Sequence, residues 1–231
     1  MFNEWIRRSG FWILDFAKGS PVRKHLLDIR FIMENIDSPE TRERQNSYLS
    51  SMLAYATEYV PFYRALHGQP LDSFPIVDKT VIKENYDDFQ SSEFRNKRVY
   101  ELHTSGSTGT PFVVRQDVNK RKRVYAEMMY FWGKAGFKIG QKYVFFRIWT
   151  DLNRKGRLAA WARNIVMHDI LLLDHDNLES VRQKLKTDNK VRMLLSYAST
   201  FENLATFLQN QGDIPEMFSV ETIISTDFPH P

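Results

Sequence analysis

The sequence predicts an α/β protein in which a helical N-terminal region, residues 1–97, precedes a layered, mostly parallel sheet over 98–231. Before residue 98, apolar residues recur at helical spacing; after it, short β-favouring runs alternate with helical stretches. A third observation is the apolar run from Tyr143 to Trp149, broken only by Arg147, as expected of a strand covered on both faces.

From Pro21 to about Gly68 the pattern is helical, and Leu49, Met52, Leu53 and Ala56 share one face. Pro61 ends that helix, because proline biases the preceding residue away from helix and lacks an N–H. Residues Gly68 to Pro75 connect to Ile76-Val77, and Asp78 is placed to cap a helix through Val81, Ile82 and Tyr86. Val99–His103 alternates as a strand, and Phe112-Val113-Val114 is a second. Asp117 caps a helix with the stripe Val124, Met128, Phe131 and Trp132, with Gly136 and Gly140 near its end. Beyond the strand at Tyr143, the pattern predicts helix over 158–165, strand 170–173 and helix 178–185. Strand 191–195, helix 200–210 and a last strand 222–224 follow.

The bulk properties exclude several classes. The chain has 231 residues and a net charge of +4, from 32 cations and 28 anions spread along it. That balance suits a polyanionic ligand but lacks the concentrated patch of a nucleic-acid binder. The absence of cysteine rules out disulfides, thiolate metal sites and a cysteine nucleophile, and fits a cytoplasmic setting. No apolar run reaches the ~20 residues of a membrane span. The first twenty residues have Arg7 and Arg8 ahead of an apolar stretch, as in a secretory signal, but Asp15 interrupts it and no small-residue cleavage site follows. An interfacial helix resting Trp5, Phe11 and Trp12 on a membrane is one reading; packing of these aromatic side chains against the domain is the expected one.

The chemistry concentrates in Thr104, Ser105, Gly106, Ser107, Thr108, Gly109 and Thr110. Glycines allow close backbone approach, successive N–H groups can form an anion nest, and the hydroxyls add donors. A polyphosphate is the natural guest, although a flexible hairpin tip has the same composition. The string is not a Walker A loop, since its spacing and lysine are absent.

The string Thr104 to Pro111 resembles the first ATP-binding motif of the adenylate-forming, acyl-CoA synthetase-like superfamily. Tyr55-Ala56, Val60-Pro61-Phe62-Tyr63-Arg64 and Phe74 to Lys79 resemble segments of its phenylacetate–CoA ligase branch, with the capsular-polysaccharide CapK-like members the best match. Gly136 to Gly140 and Leu195 to Ser199 fall where that group has a Gly-x-x-x-Gly turn and a Tyr-x-Ser segment before a helix. The resemblance implies the N-terminal part of a ligase's large domain, using ATP and Mg2+. A carboxylate would attack the α-phosphate, and the acyl group would pass to a thiol such as CoA or another acceptor. Residues 104–110 would hold the outer phosphates by preorganised donors rather than by proton transfer. It further implies a role in surface-polysaccharide synthesis.

The sequence also departs from that pattern. Phe112 stands where many relatives carry lysine, and no Tyr-Gly-x-x-Glu-like string occurs. The ribose-binding aspartate and the catalytic lysine of the lid would lie beyond Pro231. The expectation is therefore a truncated chain, inactive alone, without assignable catalytic or metal residues, and completed by a separately encoded C-terminal half. The alternative is a non-catalytic remnant or nucleotide-binding module acting through a partner. His168 and His175 flank a predicted strand at a spacing that matches no familiar metal site, so they read as its two polar ends. His103 reads as a strand end beside the loop. Lys120 to Arg123 reads as a solvated helix face.

Overall fold

The computed structural model describes residues 2–103, 112–151 and 153–226. In chain order the helices are α1 (Phe2–Ala17), α2 (Pro21–Glu34), α3 (Pro39–Tyr59), α4 (Lys79–Glu84), α5 (Val118–Lys134), α6 (Arg157–Arg163), α7 (His175–Thr187) and α8 (Ala198–Asn210). The strands are β1 (Val99–His103), β2 (Val113–Asp117), β3 (Lys142–Arg147), β4 (Ile165–Asp169), β5 (Val191–Tyr197) and β6 (Thr222–Thr226). They fall into two compact units: Met1–Pro21 with Met128–His230, and Val22–Glu127.

The first unit contains the sheet. Its strands run in the order β4-β3-β5-β6, and every pairing is parallel. Successive side chains of β3 serve opposite faces, as a pleated strand requires. Val144 and Phe146 join Val181, Leu185 and Leu204 in one core. Tyr143 joins Phe137, Trp149, Ile165 and Met193 in the other. The predicted two-sided burial of this strand is therefore met, and the α/β class with a parallel sheet holds.

Two boundaries differ from the pattern. The helix predicted over 158–165 stops at Arg163, because Asn164 adopts the left-handed conformation with φ 54° and its N–H reaches back to Ala160 and Trp161 carbonyls. The strand predicted at 170–173 instead occupies Ile165–Asp169. Asp169 ends it by accepting a hydrogen bond from the Leu171 N–H at 2.8 Å, and Leu171 and Leu172 face solvent. An apolar pair in a turn had mimicked a core strand.

Helix α1 packs in this same unit with its charged side inward. Asp15 is buried, Arg7 donates to the Trp161 carbonyl at 2.8 Å, and Arg8 donates to the Ile139 carbonyl at 3.0 Å. Phe11 and Trp12 are half-buried, as expected, but Trp5 is 62% exposed, against expectation.

In the second unit the helical stretch predicted from Pro21 to Gly68 is broken. Ser38 accepts from the Thr41 N–H, and Pro39 occupies the first turn, so a new helix starts there. Helix α3 ends at Tyr59, just before the Pro61–Leu66 3-10 turn, as Pro61 predicts. Asp78 caps α4 through the Thr80 and Val81 N–H groups, but that helix ends at Glu84, short of Tyr86. Asp28 of α2 ties the unit together, accepting from Arg44 at 3.2 Å, Tyr48 at 2.7 Å and Arg123 at 2.8 Å. Burial opposes ionisation of Asp28, but the hydrogen bonds from Tyr48 and Arg123 outweigh it and hold the carboxyl below its usual range. Arg123 is thus a structural anchor rather than part of a solvated face.

Candidate functional site

Strands β1 and β2 pair antiparallel from Val99↔Asp117 to His103↔Val113. In sequence, residues 104–112 join these two strands. The seven residues Thr104, Ser105, Gly106, Ser107, Thr108, Gly109 and Thr110 lie outside the described residues. After β2, Asp117 accepts from the Asn119 and Lys120 N–H groups at 2.5 and 2.9 Å and starts α5, as its position predicted.

The hairpin forms one wall of a cleft of about 550 Å3 in the second unit. Tyr55, Tyr86, Phe89 and Phe94 line it, together with Phe112 and Arg115 of the hairpin. Phe112 is half-buried in this aromatic setting. Arg115 is held by Glu101 at 3.2 Å and Gln90 at 3.3 Å, with its guanidinium 5.8 Å from the Tyr86 ring centroid. The Tyr55 hydroxyl and Ser91 Oγ are 2.5 Å apart. Burial lifts the Tyr55 phenol above its ordinary value, with Glu93 adding to the rise, despite the opposing Ser91 hydrogen bond.

The first unit has a second feature that can receive a ligand. Strand β3 connects outward to β4 on one side, and β5 connects to β6 on the other, so the chain leaves the carboxyl ends of β3 and β5 in opposite directions. Crevices at such a switch point are the usual ligand sites of open parallel sheets. Arg147 ends β3 and Tyr197 ends β5, each two residues beyond the last pair of these neighbouring strands, Phe145 with Leu195. Arg147 is half-buried and makes no ion pair among the described residues. Tyr197 begins α8 without a side-chain cap, leaving the helix N–H groups uncapped by it. A cation beside such a terminus favours an anionic group.

The segments singled out by sequence take defined places. Leu195 to Ser199 spans the end of β5 and the start of α8, which follow one another directly. Gly136 and Gly140 adopt φ of +99° and +94° around a turn closed by Lys138 N–H donating to Gln141 Oε1 at 2.6 Å. His168 and His175 do not flank one strand: His168 lies in β4, with its Nε2 3.0 Å from Asn177 Oδ1, and His175 is the first residue of α7. That Arg147 and Tyr197 end neighbouring strands was missed by sequence; its only trace was a lone cation ending an apolar strand.

No family model matches the chain, and no curated protein sequence matches it. Similar solved structures include 2-hydroxyisobutyryl-CoA ligase (HCL) in an open conformation, in complex with 2-HIB-AMP and CoA. The TM-score is 0.59 at 15% identity, over 83% of this chain and 48% of the ligase. The chain thus shares the α/β fold of about half of an adenylate-forming acyl-CoA ligase.

Proposed function

We propose that the protein takes part in ATP-dependent activation of a carboxylate, with residues 104–110 holding the outer phosphates of ATP. In that reaction a carboxylate oxygen bonds to the α-phosphorus, the bond to the β-phosphate oxygen breaks, and pyrophosphate leaves. One observation carries the reading: a Gly/Ser/Thr string resembling the superfamily's first ATP motif joins two paired strand ends, in a chain with the fold of an acyl-CoA ligase segment. The loop's N–H and hydroxyl donors suit the charge that develops on pyrophosphate, with no proton to move. Mg2+ would share that charge. CoA or another thiol is the proposed acceptor. The finer placement, among CapK-like ligases of surface-polysaccharide synthesis, rests on the segments flanking the loop, and a nucleotide-binding division from residue 98 onward goes with it.

Calorimetry with Mg–ATP tests this. The combined substitution Ser105→Ala, Gly106→Ala and Thr108→Ala is expected to weaken ATP binding about tenfold or more, since each removes a phosphate donor or crowds the backbone. AMP, which lacks the outer phosphates, should bind both proteins equally. Unchanged ATP affinity in the variant would remove the loop from the site.

A further inference from the structure

At the carboxyl end of the parallel sheet, four polar residues end four strands on one face. Phe145, Met167, Leu195 and Ile224, one from each strand, all pack in the core with Phe137 and Trp149. Side chains two residues apart on a strand share a face. Arg147 of β3, Asp169 of β4, Tyr197 of β5 and Thr226 of β6 therefore end their strands on that same face. Arg147 is the register partner of Asp169, and Tyr197 of Thr226. From here the chain leaves β3 for α6, whose Ala160 packs in this core. It leaves β5 for α8, whose Leu204 packs in the core of the other face. Connections that diverge between two neighbouring parallel strands open a crevice at their carboxyl ends.

Of these four, Arg147 lacks a partner. It is half-buried, and its guanidinium makes no hydrogen bond, ion pair or ring contact among the described residues. Its register partner is an acid, yet Asp169 gives its carboxylate to the main chain. That carboxylate accepts from the Trp149 N–H at 3.2 Å and from the Leu171 N–H at 2.8 Å. Thr226 is likewise engaged, donating to the Ser196 carbonyl at 3.3 Å. A guanidinium partly withdrawn from water without a counter-ion is unfavourable, and arginine inside a domain is normally paired. Its N–H donors form a planar fork that fits a carboxylate or a phosphate.

Resting on the carboxylate-activation reading, we propose that the acid this protein accepts carries a second anionic group, a carboxylate or a phosphate, and that Arg147 holds it. The reacting carboxylate is a poor partner for this cation. It gives up its negative charge on bonding to the α-phosphorus, so a guanidinium gripping it would favour the reactant over the transition state. An anion that keeps its charge throughout is held equally before and after, and decides which acid binds. Arg147 is thus a specificity residue and moves no proton.

Calorimetry on the 231-residue chain with Mg2+ and α,β-methylene-ATP, which cannot release pyrophosphate, tests it. Succinate, glutarate and adipate are each compared with the monocarboxylate of equal chain length, and phosphoglycolate with glycolate. At least one doubly anionic acid should bind about tenfold or more tightly than its singly charged counterpart. The pair that differs identifies the second group. Arg147→Gln should abolish that preference while leaving the monocarboxylate affinity and the circular dichroism spectrum unchanged, and Arg147→Lys should keep part of it. A merely structural role would weaken both acids together. The acids are titrated again without nucleotide, and the nucleotide without acid, so failure of ATP to bind is seen apart from failure of the second anion to bind. Equal affinities throughout the wild-type series, no binding of any doubly anionic acid, or an unchanged preference in Arg147→Gln would overturn the proposal. The wild-type series decides even if Arg147→Gln misfolds.

Discussion

At Gly140 two constraints meet. The backbone φ is +94°, and an added Cβ would lie 2.4 Å from the Glu4 carbonyl oxygen, a backbone atom with little room to move. Gly140→Ala is expected to cost more than about 1–2 kcal/mol, the usual penalty for a side chain in left-handed backbone, because the clash adds to it. Gly133 lies within α5 with nothing within 4 Å of its added Cβ, so Gly133→Ala should instead stabilise by about 0.5–1 kcal/mol. Urea titrations of both variants check the opposite signs. Asp213 gives a pH signature. Hydrogen bonds from Arg182 oppose the burial of its carboxylate, and Lys186 adds to them, lowering its pKa to about 2; the side chain is 2% exposed. A depressed carboxyl contributes stability that is complete above the ordinary carboxylate range and lost as pH falls through about 2. Asp213→Asn should therefore lower the melting temperature at pH 7 and flatten its fall between pH 4 and pH 2, read by thermal unfolding at each pH.

Among the elements, β3 carries the most packing. Phe146 is 1% exposed and sits in the core with Val181 and Leu204. Phe146→Ala is expected to cost about 3–5 kcal/mol, while Phe131→Ala, on the exposed side of α5, should stay within about 0.5 kcal/mol. Circular dichroism in urea separates them. This strand was legible in the sequence because two-sided burial leaves a continuous apolar run. Caps were legible too: Asp78 and Asp117 bond the N–H groups their positions predict. The β4 region was not. Its helix ends on Asn164 rather than on glycine or proline, so the periodic pattern ran on into a strand, and Leu171-Leu172 in the turn imitated the strand that had already passed. The helical stretch after Pro21 hid its break for a similar reason: Ser38-Pro39 is a start signal read only by its capping geometry.

For the molecule as a whole, the α/β class and the parallel sheet were legible because burial patterns alternate with period along the chain. The string at residues 104–110 could be read as a candidate phosphate loop because the chemistry proposed for it resides in consecutive residues. The switch point was not legible, because Arg147 and Tyr197 lie fifty residues apart and only the strand order makes the strands they end neighbours. The exposure of Trp5 was not legible, because a helical pattern says which residues share a face and not which face the fold keeps. We propose that residues 104–110 grip the phosphates of ATP. Titrating Mg–ATP into 15N-labelled protein and following the Gly106 and Gly109 amide resonances tests it most directly. Saturable shifts at these two amides, larger with ATP than with AMP, are the predicted result. Resonances that stay in place while ATP binds elsewhere, or no binding at all, would contradict the account.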